Sequence, residues 1–236
     1  MVWTFVLVSM MAASFDVASV KPSARTVGPD YNNRIVVEPG RFSARNITLQ
    51  RLIAVAYELQ ATQVSGPSWI REAEYDIEAK ADPKITRDEM RAMLRALLSE
   101  RFHVRQHDDS REMRVYELLV GPSGAKLDHQ GSGFHFHGDM HEFADLLAVQ
   151  FTIPAAPSND PTQPARATAT QTPVLDRTGL TGIYDFGVDM HPELGTDMFT
   201  LWDRALREQL GLRLTSRRNP VRMLVVDSSD RVPSAN

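Results

Sequence analysis

Ser65-Gly66-Pro67-Ser68-Trp69-Ile70 leads into Tyr75-Asp76-Ile77-Glu78-Ala79, and Val174-Leu175-Asp176-Arg177-Thr178-Gly179-Leu180 leads into Tyr184-Asp185-Phe186-Gly187-Val188. Each block precedes an amphipathic helix candidate, and the two helices end in stretches that align. Leu98-Ser99-Glu100-Arg101-Phe102-His103-Val104-Arg105 matches Leu206-Arg207-Glu208-Gln209-Leu210-Gly211-Leu212-Arg213. A period of roughly a hundred residues is too long for a solenoid and suits a duplicated small domain. The predicted fold is therefore α+β and internally duplicated, each half a small, mostly antiparallel sheet covered by two helices. Residues 15–128 form the first repeat and 129–236 the second.

Working outward, Phe15 to Val20 alternates and is rich in β-formers, which predicts a strand. Arg34 to Asn46 predicts a hairpin turned at Pro39-Gly40. Leu49, Leu52, Ile53 and Ala56 recur at helical spacing and predict a helix to about Gln60. Thr86 and Glu89 form a capping-box pattern ahead of Met90, Met93, Leu94 and Leu97. Phe102 to Gln106 and Met113 to Val120 predict a hairpin pair turned at Asp108-Asp109-Ser110. In the second half, Asp139 and Glu142 are spaced as an N-cap and its N3 partner. Phe199, Trp202, Leu206 and Leu210 mark the last helix, and Pro220 to Asp227 the last strand. Residues 154–172 are rich in Pro, Ala, Thr and Ser, have no counterpart in the first repeat, and predict an insertion without regular structure.

The chain has 236 residues, 42% apolar and 24% charged, as an ordinary globular protein does. A net charge of -4 argues against nucleic acid, which calls for a basic stripe. No apolar run reaches the roughly 18 residues that would predict a transmembrane helix. The absence of cysteine excludes a disulfide framework and thiolate chemistry. Val2 to Ala13 is apolar and Ala12-Ala13-Ser14 places small residues ahead of Phe15. Residues 1–14 thus read as a signal-peptide remnant, which predicts a secreted or periplasmic protein, or else as a buried first strand. No Lys or Arg precedes Lys21, so the usual basic start is missing.

Phe15-Asp16-Val17-Ala18-Ser19-Val20-Lys21-Pro22, Gly66-Pro67-Ser68-Trp69-Ile70, Tyr75-Asp76-Ile77-Glu78-Ala79-Lys80, Leu97-Leu98-Ser99-Glu100-Arg101-Phe102 and Asp176-Arg177-Thr178-Gly179-Leu180-Thr181-Gly182-Ile183-Tyr184-Asp185-Phe186 occur in this order. Together they resemble the soil-associated, mostly acidobacterial family known as domain of unknown function 3738, over nearly the whole chain after Phe15. The resemblance implies a secreted or periplasmic protein. Similar domains sit behind membrane metallopeptidase domains of the antibiotic-sensor type, which implies a sensing or binding module. The family has no agreed catalytic residues to carry over. The chain departs from it in the insertion and in a cluster of histidines.

That cluster, His135-x-His137-x-x-x-His141, is the sharpest local feature. On a strand, His135 and His137 share one face while Phe134 and Phe136 point into a core. Two imidazoles about 7 Å apart along the strand can share one zinc-sized ion, and His141 in the next helical turn could close a three-nitrogen site with an open position. The competing expectation is a solvated pair on an outer face. His103 aligns with Gly211 at a helix end and suits left-handed geometry, while His107 is placed to pair with Asp108 or Asp109. Ser123-Gly124-Ala125-Lys126 and Arg177-Thr178-Gly179 echo penicillin-recognising enzymes, but that chemistry needs Ser123 at the start of a helix, and a loop is expected there. Trp69, Tyr75, Tyr184 and Phe186 recur in both repeats. They read as core anchors, and as candidate ligand contacts if a groove lies between the copies.

The leading expectation is a non-catalytic binding or sensor module for a partner protein, peptide or small ligand, needing no cofactor. The rival is a metal-dependent hydrolase with zinc on His135, His137 and His141.

Overall fold

The computed structural model describes residues 14–24, 34–153, 170–192 and 195–234. Its strands in chain order are β1 (Val17–Pro22), β2 (Arg34–Glu38), β3 (Arg41–Thr48), β4 (Val64–Ser65), β5 (Glu74–Lys80), β6 (Arg105–Val120), β7 (Phe134–Gly138), β8 (Thr152–Ile153), β9 (Thr170–Gln171), β10 (Val174–Asp176), β11 (Tyr184–Val188) and β12 (Leu212–Ser228). The helices are α1 (Leu49–Tyr57), α2 (Arg87–Phe102), α3 (Met140–Gln150) and α4 (Met198–Ala205), the last running into a π-helical turn at Leu206–Leu210. The fold is α+β with mostly antiparallel sheets.

The chain divides into two compact units. One runs up to Asp109 and takes back the chain from Arg222; the other is Ser110–Val221. The division therefore falls inside β6 and β12. Each unit has its own core. The first is built around Phe42, Ile47, Leu52, Ile53, Tyr75, Ile77, Leu94 and Phe102. The second is built around Phe136, Phe143, Leu147, Phe186, Trp202, Leu206 and Leu210.

Side chains stop and start the helices as the sequence leads one to expect. Thr86 and Glu89 cap each other's backbone at the start of α2, and Asp139 and Glu142 do so at α3. His103 ends α2 at φ 48°, and Gly211 ends the π turn at φ 64°. The two aligned positions thus share left-handed geometry, but only one tolerates a side chain. A Cβ on residue 211 would meet the Gly124 carbonyl oxygen at 1.9 Å.

Two sequence expectations need correction. Asp108-Asp109-Ser110 is not a turn: β6 runs unbroken from Arg105 to Val120. His107 to Glu112 are all exposed, and a strand bathed in solvent carries the polar residues that otherwise mark turns. Their charges are met across the sheet, where Arg222 Nε donates to Asp108 Oδ1 at 2.8 Å and His107 Nδ1 lies 2.9 Å from Asp227 Oδ1. His107 therefore pairs across the sheet, not with Asp108 or Asp109. Similarly, β12 starts at Leu212 and passes through Pro220. The second correction concerns the insertion, whose end is ordered: Thr170–Gln171 pair with Thr152–Ile153. The rest of that stretch, and the signal-peptide reading of residues 1–13, lie outside the described residues.

The two halves of the chain follow a matched order, β3-α1-β4-β5-α2-β6 and β7-α3-β10-β11-α4-β12. β3 pairs antiparallel with β5, and β7 with β11. β4 pairs parallel with β12, and β10 with β6. They differ at the margins. In the first unit the order β1-β5-β3-β2 flanks the central pair on both sides, whereas β11-β7 is a ribbon of two strands.

Candidate site on the β7–β11 ribbon

The ribbon alternates by the pleat of its strands. Phe136 and Phe186 are directly opposed and buried, with ring centroids 5.3 Å apart, and both pack on Phe143 of α3 at 4.9 and 5.1 Å. The residues between them face the other way. His135 and His137 on β7, and Asp185 on β11, are each more than half exposed. His135 Nε2 lies 3.0 Å from Asp185 Oδ1, and His137 Nδ1 lies 3.3 Å from Asp185 Oδ2. One carboxylate thus bridges two imidazoles.

The ladder explains why these three meet. The Gly187 N–H donates to the His129 carbonyl oxygen at 2.8 Å, so it points away from β7. In an antiparallel pair this makes Gly187 and His135 a non-hydrogen-bonded couple, and Asp185 and His137 likewise. Such couples bring side chains closest, with Cα atoms about 4.5 Å apart. Asp185 therefore sits beside His137, and Gly187 stands opposite His135. Glycine is required at 187 because the Gly131 backbone fills the place of a side chain: a Cβ would meet the Gly131 carbonyl oxygen at 2.2 Å.

The same ladder fixes the outer edge of β7. If His135 and His137 do not bond to β11, their N–H and C=O groups point outward, away from the ribbon. Among the described residues no strand pairs with that edge, and no backbone hydrogen bond outside the ribbon reaches His135 or His137.

The loop beside β11 is fastened by Asp189. Its Oδ1 accepts from the Ser132 N–H at 2.7 Å, the Ser132 hydroxyl at 2.9 Å and the Gly133 N–H at 3.1 Å. These bonds, the Ser132 hydroxyl foremost, hold the Asp189 carboxyl below its usual range.

The other expected site residues fall elsewhere. Tyr75 and Phe186 are buried at 1% and 0% exposure, so they hold cores and cannot contact a ligand from solvent. The Tyr75 hydroxyl donates to the Arg231 carbonyl oxygen at 2.6 Å. Trp69 is only half buried against the first core, and Tyr184 against the second, its hydroxyl donating to Thr181 O at 2.9 Å. His141 lies in the first turn of α3. Among the described residues, no three His, Asp or Glu side chains stand as a group able to hold a metal as they are. Ser123 and Lys126 lie in a helix-free turn with Gly124 at φ 78°, not in the helical spacing acyl transfer needs. Asp185 is what the sequence reading missed as a partner. Its signal was the strand pattern of Tyr184-Asp185-Phe186, but only the register puts it opposite His137.

The molecule is thus an α+β protein of two units with one exposed imidazole–carboxylate cluster on a two-stranded ribbon. A model of the family described as protein of unknown function, domain of unknown function 3738, matches residues 50–229. The chain belongs to that family. No curated protein and no solved structure matches it significantly. Among the described residues no helix is long and apolar enough to cross a membrane.

Proposed function

We propose that the chain is a non-catalytic binding module, secreted or periplasmic, that takes an extended polypeptide segment as an added strand along β7. One observation carries this: the outward-pointing N–H and C=O groups of His135 and His137, two residues apart, form the repeat that strand addition uses. The first unit supplies the precedent. There β2, with the sequence Arg34-Ile35-Val36-Val37-Glu38, lies antiparallel on β3, the strand that occupies the place of β7 in the matched order. We read that order as an internal duplication in which the second copy lacks its own β2 equivalent.

The expected occupant is therefore an extended, β-branched segment of another polypeptide. A net charge of -4 favours a peptide over nucleic acid. The apolar stretch Val2 to Ala13 supports the placement outside the cytoplasm.

The test selects a displayed library of random heptapeptides against the whole chain, then measures the enriched peptides against His135→Ala and His135→Pro. Alanine keeps the outward N–H and proline removes it, without touching the β11 ladder. Binding should survive in His135→Ala and be lost in His135→Pro, with both variants melting as cooperatively as the parent. Peptides that bind His135→Pro unchanged, or a selection that enriches nothing, would contradict the reading.

A further inference from the structure

We propose that His135, His137 and Asp185 together bind a divalent transition-metal ion of the zinc class. The site uses side chains on the open face of the ribbon, so it is independent of strand addition, which uses the backbone at its edge. Asp185 takes the place the sequence had suggested for His141.

The distances carry the argument. Four ligands at about 2.0 Å around zinc stand roughly 3.3 Å from one another, the edge of the tetrahedron. The two nitrogen-to-oxygen separations here are 3.0 and 3.3 Å. Each imidazole nitrogen thus stands about as far from a carboxylate oxygen as two ligands of one ion do. As they stand the three side chains do not enclose a common centre. Closing one requires rotating the two imidazoles about their side-chain bonds, and both are more than half exposed.

The scaffold supports a defined geometry. His135 and His137 lie two residues apart on one strand face, and Asp185 is held by the close cross-strand couple. Behind them Phe136 and Phe186 lock the ribbon onto α3. Two neutral imidazoles and one carboxylate are a borderline nitrogen–oxygen set, which suits zinc, copper or nickel and not calcium or magnesium. Exposure leaves a fourth position for water or for a donor group of a partner.

The experiment is a calorimetric titration of the untagged whole chain with zinc chloride, repeated on single variants. One equivalent should bind the parent. His135→Ala and His137→Ala should each weaken binding at least a hundredfold, and Asp185→Asn at least tenfold, while His141→Ala should bind as the parent does. Nitrogen chemical shifts of the imidazoles should move on zinc addition at His135 and His137, and not at His103, His107 or His141. No stoichiometric zinc in the parent would overturn the proposal, as would undiminished binding in His135→Ala or His137→Ala. Loss in His141→Ala with Asp185→Asn unaffected would overturn it in favour of the all-histidine set.

Discussion

The sheet of the first unit and the ribbon of the second are built on the same plan and finished differently. β3 lies between β5 and β2, so both edges of the strand are occupied; among the described residues β7 has β11 on one side only. The matching aspartates diverge with them. Asp76 of Tyr75-Asp76-Ile77 accepts from the Asn46 N–H at 2.9 Å, where Asn46 takes φ 52° at an irregularity in β3. Asp185 of Tyr184-Asp185-Phe186 faces a regular strand and meets imidazoles instead. The matching aspartate serves structure where the sheet is complete and stands exposed where it is not. This contrast, more than any motif, directs attention to β7.

Five variants test how far the parallel holds. Phe186→Ala should show the largest effect, about 3–5 kcal/mol in a denaturant melt, because a fully buried ring is lost from the contact with Phe136 and Phe143. A loss below about 1 kcal/mol would mean the ribbon is not locked to its helix. Trp69→Ala should cost less, about 1–2 kcal/mol, since the ring is only partly buried against the first core. Asp76→Ala should cost about 1 kcal/mol by removing the acceptor of the Asn46 N–H. Asp185→Ala, and likewise His135→Ala with His137→Ala, should stay within about 0.5 kcal/mol, as exposed positions do. Equal losses at Asp76 and Asp185 would abolish the distinction between the two aspartates.

Much of this plan was legible in the sequence. The capping boxes at Thr86 and Asp139 and the left-handed ends at His103 and Gly211 follow from local chemistry that the fold leaves unchanged. Periodicity placed Phe136 inside and His135 and His137 outside. What failed depended on partners far along the chain. The long strands β6 and β12 were hidden because their solvent-bathed middles carry turn residues, Asp108-Asp109-Ser110 and Pro220. Trp69, read as a core anchor, packs against the first core but is only partly buried, and its degree of cover depends on distant neighbours. Asp185 was quoted as part of the repeat without a role, since its meeting with His137 depends on register alone.

The smallest effect concerns acid. The Asp189 carboxyl is held below its usual range by Ser132 and Gly133, and a lowered folded-state value means its contribution is present above the ordinary aspartate value of about 3.9 and lost as the pH falls through the lowered one. Asp189→Asn should therefore lose less stability than the parent between about pH 5 and pH 2. Parallel acid limbs for the two proteins would show that the loop beside β11 is not fastened this way.

Amide hydrogen exchange, resolved residue by residue along β7 and β3, tests the open edge most directly. The account predicts an alternation in β7: the Phe136 and Gly138 amides, bonded to β11, exchange slowly, and those of His135 and His137, pointing outward, exchange orders of magnitude faster. In β3, between two strands, neighbouring amides away from the Asn46 irregularity should be protected without such alternation. Slow exchange at His135 and His137 in the free protein would mean the edge is already covered, and would contradict the account.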